Sequence, residues 1–455
     1  MNMNSTKREV LLLNPTNIGA FQKFSPDRSG LQQVVFQLPQ IPRLMKGRSL
    51  RINGTFEVKN SNDAFPQNAT YWNSDNPTTN SFYIDGRIGV SSCIDTLTIQ
   101  NLQGGTYSNI KNYNRLCASL VPLNQSFNNY INGVDYELAP GKQVSMAKKC
   151  DKPFDFSLPL LDGYLQGNDF IDMQLQGGMI LTLTLAPSNF VINNNYWYNQ
   201  TADTPNGAYY EWSNLTLSVE TEIVSPEQER SMLQNTKGVM SYSTFSSFYN
   251  VVLSNQHNLS FLFNTRDTSA VVGNLIPSSW LNNYQFNSSS TPQLLYEKAA
   301  GVLNNNIRMN GFTYQKSGAR FPYDLVIESK ETQDEGVADS LKNLTEIDAV
   351  RDGWSLYNML KSLKTELSNP LSNTEPNKFN RDRYSIVEED QENQYNIGVS
   401  FDKLGSGVDF RGQTFNLRVQ SNLPAAQSFQ PHSMFLFVRH QNTIIFEDGK
   451  IQVLS

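Results

Sequence analysis

The chain is poor in the residues on which enzyme chemistry usually depends: its 455 residues include three histidines and three cysteines. His257, His432 and His440 each stand apart from the cysteines, and none lies within a helical turn of another, so no triad and no zinc cluster can be read from them. Inert or packing roles are expected for all three. Cys93, Cys117 and Cys150 match no zinc or redox spacing. Their odd number fits buried thiols in a reducing compartment better than a disulfide framework.

Charge is scarce as well, at 17% of residues with a formal net charge of −6. That balance argues against a protein whose main task is to coat nucleic acid, which needs a strongly basic face. Arg43, Lys46, Arg48 and Arg51 form a local basic cluster. They read as solvated side chains on a loop and strand edge, and their role is left open. No P-loop motif occurs, and Gly405-Ser-Gly407 puts Phe410 where a dinucleotide fingerprint needs its third glycine. Glu388-Glu-Asp390 is a dense acidic cluster of the kind found on solvated loops, although a glycosidase carboxylate pair would leave no local pattern at all. No catalytic, cofactor-binding or metal-ligating residue is assigned, and no cofactor is expected.

Long hydrophobic runs are also missing. No stretch approaches the ~18 apolar residues of a membrane span, and Met1 to Arg8 lacks the apolar core of a signal peptide. The expectation is a chain that is neither exported nor membrane-anchored. The sequons Asn68-Ala-Thr70 and Asn214-Leu-Thr216 then read as by-products of an Asn- and Thr-rich sequence.

What the chain does have is aromatic and β-forming. It carries 26 Phe and 20 Tyr, large side chains that favour pleated, half-buried surfaces. Asn-rich tracts such as Asn193-Asn-Asn195 and Asn304-Asn-Asn306 separate the strand candidates with turn formers. Period-two alternation marks Ser49–Val58, where Leu50, Ile52, Phe56 and Val58 share a face. It also marks Ile94–Ile99, Gly178–Leu185, Leu215–Val224, Tyr395–Phe401 and Thr414–Gln420. Met434–Val438 and Thr443–Phe446 are further apolar strand candidates. The fold class is all-β, with cores large enough to need no staple.

Ser225-Pro-Glu-Gln-Glu-Arg230 interrupts the β pattern with a helix-start signature. The expected organisation is an N-terminal arm over 1–30, a first sandwich over 31–224, a linker over 225–238 and a second sandwich over 239–455. The two sandwiches look like a duplication: the strand after Gly178 lies on the strand after Gly412, and Phe36 on Phe263, at spacings near half the chain. Within the second, apolar residues from Leu341 to Leu367 recur at helical steps. An acidic loop and an inserted helix are therefore expected near 328–369, with Leu344, Ile347 and Leu360 buried. The arm's Val10-Leu-Leu-Leu13 is too short for its own core and is expected to dock beyond its own sandwich. Tyr196-Trp-Tyr198 and Tyr209-Tyr-Glu-Trp212 read as subunit contacts, with a sugar-stacking platform as the alternative.

Three short segments carry a family resemblance: Phe36-Gln-Leu-Pro39, Phe156-Ser-Leu-Pro-Leu160 and the strand opened by Gly177-Gly178. The chain resembles the double jelly-roll major capsid proteins of polinton-like viruses, virophages and giant viruses, the tiles of icosahedral DNA-virus shells. That resemblance implies two antiparallel eight-stranded jelly rolls, with the inserted helix in the second. It also implies a non-enzymatic homotrimer acting as a pseudo-hexameric capsomer in a virion, assembled inside the host cell and not secreted. The implied partners are neighbouring capsomers, penton and minor capsid proteins, and an internal membrane or genome reached through the arm. A carbohydrate-binding or glycoside-hydrolysing β-sandwich protein stays open as the alternative.

Overall fold

The computed structural model describes residues 7–16, 23–27, 32–59, 82–85, 89–117, 147–149, 152–166, 170–194, 209–235, 237–254, 256–278, 281, 308–320, 327–328, 395–401, 407–422, 431–447 and 450–454. Cys150, Tyr196-Trp-Tyr198, Glu388-Glu-Asp390 and the expected helix over 340–367, with Leu344, Ile347 and Leu360, lie outside the described residues.

Among the described residues, sixteen of the strands build two sandwiches. The first eight are β1 (Lys7–Leu13), β2 (Gln33–Leu38), β3 (Arg51–Lys59), β4 (Ile94–Asn101), β5 (Thr106–Lys111), β6 (Phe154–Pro159), β7 (Met179–Leu185) and β8 (Tyr209–Ile223). The second eight are β9 (Lys237–Val252), β10 (Gln256–Leu262), β11 (Thr268–Pro277), β12 (Arg308–Lys316), β13 (Ala319–Arg320), β14 (Tyr395–Ser400), β15 (Thr414–Asn422) and β16 (His432–Glu447). In the first sandwich one sheet runs β1-β8-β3-β6 and the other β2-β7-β4-β5. In the second the orders are β9-β16-β11-β14 and β10-β15-β12-β13. Strand n of the first therefore occupies the place of strand n+8 in the second. All these pairings are antiparallel. Two sheets of four with this order are a jelly roll, and the chain is a double jelly roll.

The duplication suggested by the sequence has a topological counterpart. β7 lies between β2 and β4, and β15 lies between β10 and β12. Gly178 and Gly412, just before β7 and β15, both hold positive φ, +80° and +67°, a conformation open to glycine without strain. Sequence alternation sets which face turns inward: Met179, Leu181, Leu183 and Leu185 of β7 are buried, while Ile180, Thr182 and Thr184 are half-buried. Leu50, Ile52 and Phe56 point into the first core, and Phe415 and Leu417 into the second. The Val419 side chain is outside the described set.

The N-terminal segment departs from the expected arm. β1 is the first strand of roll one, paired with β8 from Lys7↔Ile223 to Leu13↔Leu217. Further on, Phe24 exchanges two backbone hydrogen bonds of 2.9 Å with Trp212 and is buried in the core. The edge of β8 pairs one edge of residues 7–13 within the chain. Leu11 and Leu13 turn inward, whereas Val10 and Leu12 remain 57% and 66% exposed.

Between β8 and β9 runs one helix, α1 (Pro226–Gln234). It starts at the helix-start signature read in the sequence, and Ser225 and Gln228 close a capping box there, Ser225 Oγ accepting from Gln228 N–H and the Gln228 side chain accepting from Ser225 N–H. No residue of α1 is buried.

Candidate functional site

Among the described residues, no group of three or more His, Cys, Asp or Glu is placed to hold a metal ion. The histidines meet hydroxyls. His440 Nε2 lies 2.8 Å from Ser246 Oγ and His257 Nδ1 lies 3.4 Å from Ser254 Oγ. Burial pushes the His440 pKa down to about 4, so the ring is neutral at physiological pH. His432 is buried at the start of β16. Cys93 and Cys117 are buried and form no disulfide, and burial pushes the Cys117 thiol up to about 12, which makes it unreactive.

The basic cluster is dispersed rather than pooled. Arg43 pairs with Glu9 at 2.6 Å, Lys46 with Glu220 at 3.5 Å, and Arg48 Nε donates to Gln166 O at 2.7 Å. Arg51 sits half-buried in β3. Arg43 thereby ties its turn to β1, Lys46 ties it to β8, and Arg48 ties it to the backbone at Gln166.

Tyr209, Tyr210 and Trp212 form neither a subunit contact nor a sugar platform. All three are buried in roll one; Trp212 packs 5.1 Å from Phe156, and Tyr210 stacks 5.7 Å from Phe56. The opposite face of β8 is closed by charge. Glu211 stands across from Glu57, a repulsive pair on adjacent strands. Lys23 bridges it at 2.5 Å to Glu57 and 2.8 Å to Glu211, and Lys59 adds a contact of 2.9 Å to Glu211. Burial opposes charge on both Lys23 and Glu211, but the pairing prevails, raising the lysine pKa and lowering that of the glutamate.

The feature that sequence reading missed is the seam between the rolls. β9 and β16 are 16 residues long, twice the usual need of a strand in a sandwich, and pair along their full length. The first half of β9 lies on β5 of roll one. Tyr242 donates to Tyr107 O at 2.5 Å, and Thr244 meets Ser108, whose hydroxyl lies 2.5 Å from buried Asp162. Tyr164 stacks on Tyr107 at 4.8 Å and meets Tyr242 edge-on at 5.2 Å. Elsewhere in the seam the Arg115 guanidinium is held between the rings of Phe190 and Phe435, at 4.9 and 5.1 Å. Residues 432–440 of β16 are consequently buried without a break, Met434, Leu436 and Val438 in the core of roll two and Phe435 and Phe437 in the cluster shared with roll one. The unbroken apolar run Met434-Phe-Leu-Phe-Val438 was the available signal, since a strand covered on both faces loses its alternation.

Large apolar side chains left uncovered include Val10 and Leu12 on β1, Val239 and Tyr249 on β9, and Leu262 on β10. Such groups suit contact surfaces rather than catalysis.

Solved structures share this architecture from end to end. A quasi-atomic model of the PBCV-1 virus capsid matches with a TM-score of 0.57 at 10% identity, covering 100% of this chain and 98% of that one. The Faustovirus major capsid protein matches with a TM-score of 0.51 at 8% identity, covering 98% and 93%. The chain therefore has the double jelly-roll fold found in major capsid proteins. No protein family and no curated protein matches it in sequence, so at these identities the likeness defines the fold.

Proposed function

We propose that this chain is a major capsid protein: a structural, non-enzymatic tile of an icosahedral DNA-virus shell. The observation that carries the reading is the pair of eight-stranded rolls with one strand order, fused through a buried seam and aligned over nearly the whole length of two capsid-protein chains. Three copies would present six equivalent rolls, forming a pseudo-hexameric homotrimer that packs against neighbouring capsomers, penton and minor capsid proteins in the virion. Two units divided near α1 serve this purpose because each roll then supplies one sixth of the tile. The rival sugar-binding reading loses its motive among the described aromatics, since Tyr209, Tyr210 and Trp212 are packed in the core.

Electron microscopy of the purified chain tests the proposal. Six-lobed particles and hexagonal arrays or closed shells are the expected result; isolated single-chain particles at every concentration would overturn it.

A further inference from the structure

The two rolls are joined twice, once along the chain through α1 and once through space by the seam, and the two joints differ in cover. None of the nine residues of α1 is buried, and Leu233 is 54% exposed. A helix shorter than about 12–15 residues is marginal in water without tertiary packing. What holds α1 is its own first turn, closed by Ser225 and Gln228. Segments without buried contacts open at low cost, and exposed, unpacked backbone is where proteolytic nicking concentrates.

The structure on either side is anchored by other means. β8 is paired through its last residue, Ile223, with Lys7. β9 is paired from its first residue, Lys237 with Glu447, and the side chains of that pair lie 3.3 Å apart. Roll two is seated on roll one by contacts outside α1: Tyr242 on Tyr107, Thr244 on Ser108, and Arg115 between Phe190 and Phe435. Tyr242, Phe435 and Phe437 share one buried cluster with the core of roll one.

We propose that α1 is a site of proteolytic processing, cut by an endopeptidase that reads an unwound segment with a basic residue before the scissile bond, and that the cut protein stays in one piece. Arg230 is the basic residue of α1, and it is exposed. Water adds across the Arg230–Ser231 peptide bond, leaving a carboxylate on Arg230 and a free amino group on Ser231, with no change of oxidation state. The ends released lie between Ile223 and Lys237, outside both sandwiches. The seam keeps every contact named above, so the rolls remain together as two chains. This site goes beyond the capsid reading and does not depend on it.

Two measurements on the full chain test this. In a brief pulse of an arginine-specific endopeptidase, with new amino termini labelled, the terminus at Ser231 should appear roughly tenfold or more faster than those after Arg51 and Arg439, which lie half-buried and buried in strands. Arg230→Gln should abolish it. Equal rates would show that α1 opens no more readily than a sandwich strand, and would overturn the site. The second measurement uses a variant with the recognition sequence of a rare-cutting endopeptidase in place of Glu227–Leu233. Cut to completion, it should keep its uncut native mass and separate into two chains only in denaturant. A segment that resists the enzyme while the chain is folded, or rolls that part without denaturant, overturns the proposal.

Discussion

The two rolls have the same strand order, yet their first strands differ in length and cover. β9 spans 16 residues and buries Tyr242, Thr244 and Phe245, in contact with roll one or its shared core. β1 spans seven, leaves Val10 and Leu12 in solvent, and among the described residues has no second roll beneath it. The difference teaches that topology alone does not fix what a strand does. Where the chain supplies the second roll, the contact becomes part of the folded core; where it does not, the strand remains available.

The sharpest way to break this comparison is to cut into the covered side. Phe437 is buried in the cluster shared by the rolls, so Phe437→Ala should lower unfolding free energy by about 3–5 kcal/mol, read by denaturant titration. A loss near zero would mean that the seam contributes nothing to the fold.

Acid should act next, through His440. Its pKa is pushed below its unfolded value of 6.5 to about 4 by burial. Above pH 6.5 the ring is neutral in both states and the term is absent. As pH falls from 6.5 towards 4, the unfolded chain takes up the proton and the folded chain does not, so stability drops by about 3 kcal/mol in all. His440→Gln should flatten that part of the stability profile. An unchanged slope between pH 4 and 6.5 would refute the assignment.

A smaller effect is expected at Tyr242→Phe, which removes the hydroxyl donated to Tyr107 O and strands a buried carbonyl. About 1–3 kcal/mol should be lost. The least is expected on the uncovered side: Leu12→Ser should change the stability of the isolated chain by no more than about 0.5 kcal/mol. A large loss there would show that β1 is packed already.

Much of this fold was legible because alternation records which face is buried, as in β3, β7 and β15. The helix at Pro226 was legible through its local capping residues. β1 was not, because Val10-Leu-Leu-Leu13 hides its alternation in a continuous apolar run, and its partner stands some two hundred residues away at Ile223. Tyr209 to Trp212 misled for a related reason. An irregularity in β8 between Ser213 and Thr216, with Asn214 at φ +53°, shifts the inward side chains from Tyr210 and Trp212 to Leu215 and Leu217. The seam depends on which strand meets which roll, a non-local fact that leaves only an unbroken apolar stretch in β16 as its trace.

Native mass measurement of the purified chain tests the central claim most directly. A capsid tile built as described should appear at three times the 51.4 kDa chain mass and, on dilution, should dissociate into folded chains. A species that remains at the single-chain mass under assembly concentrations would contradict it.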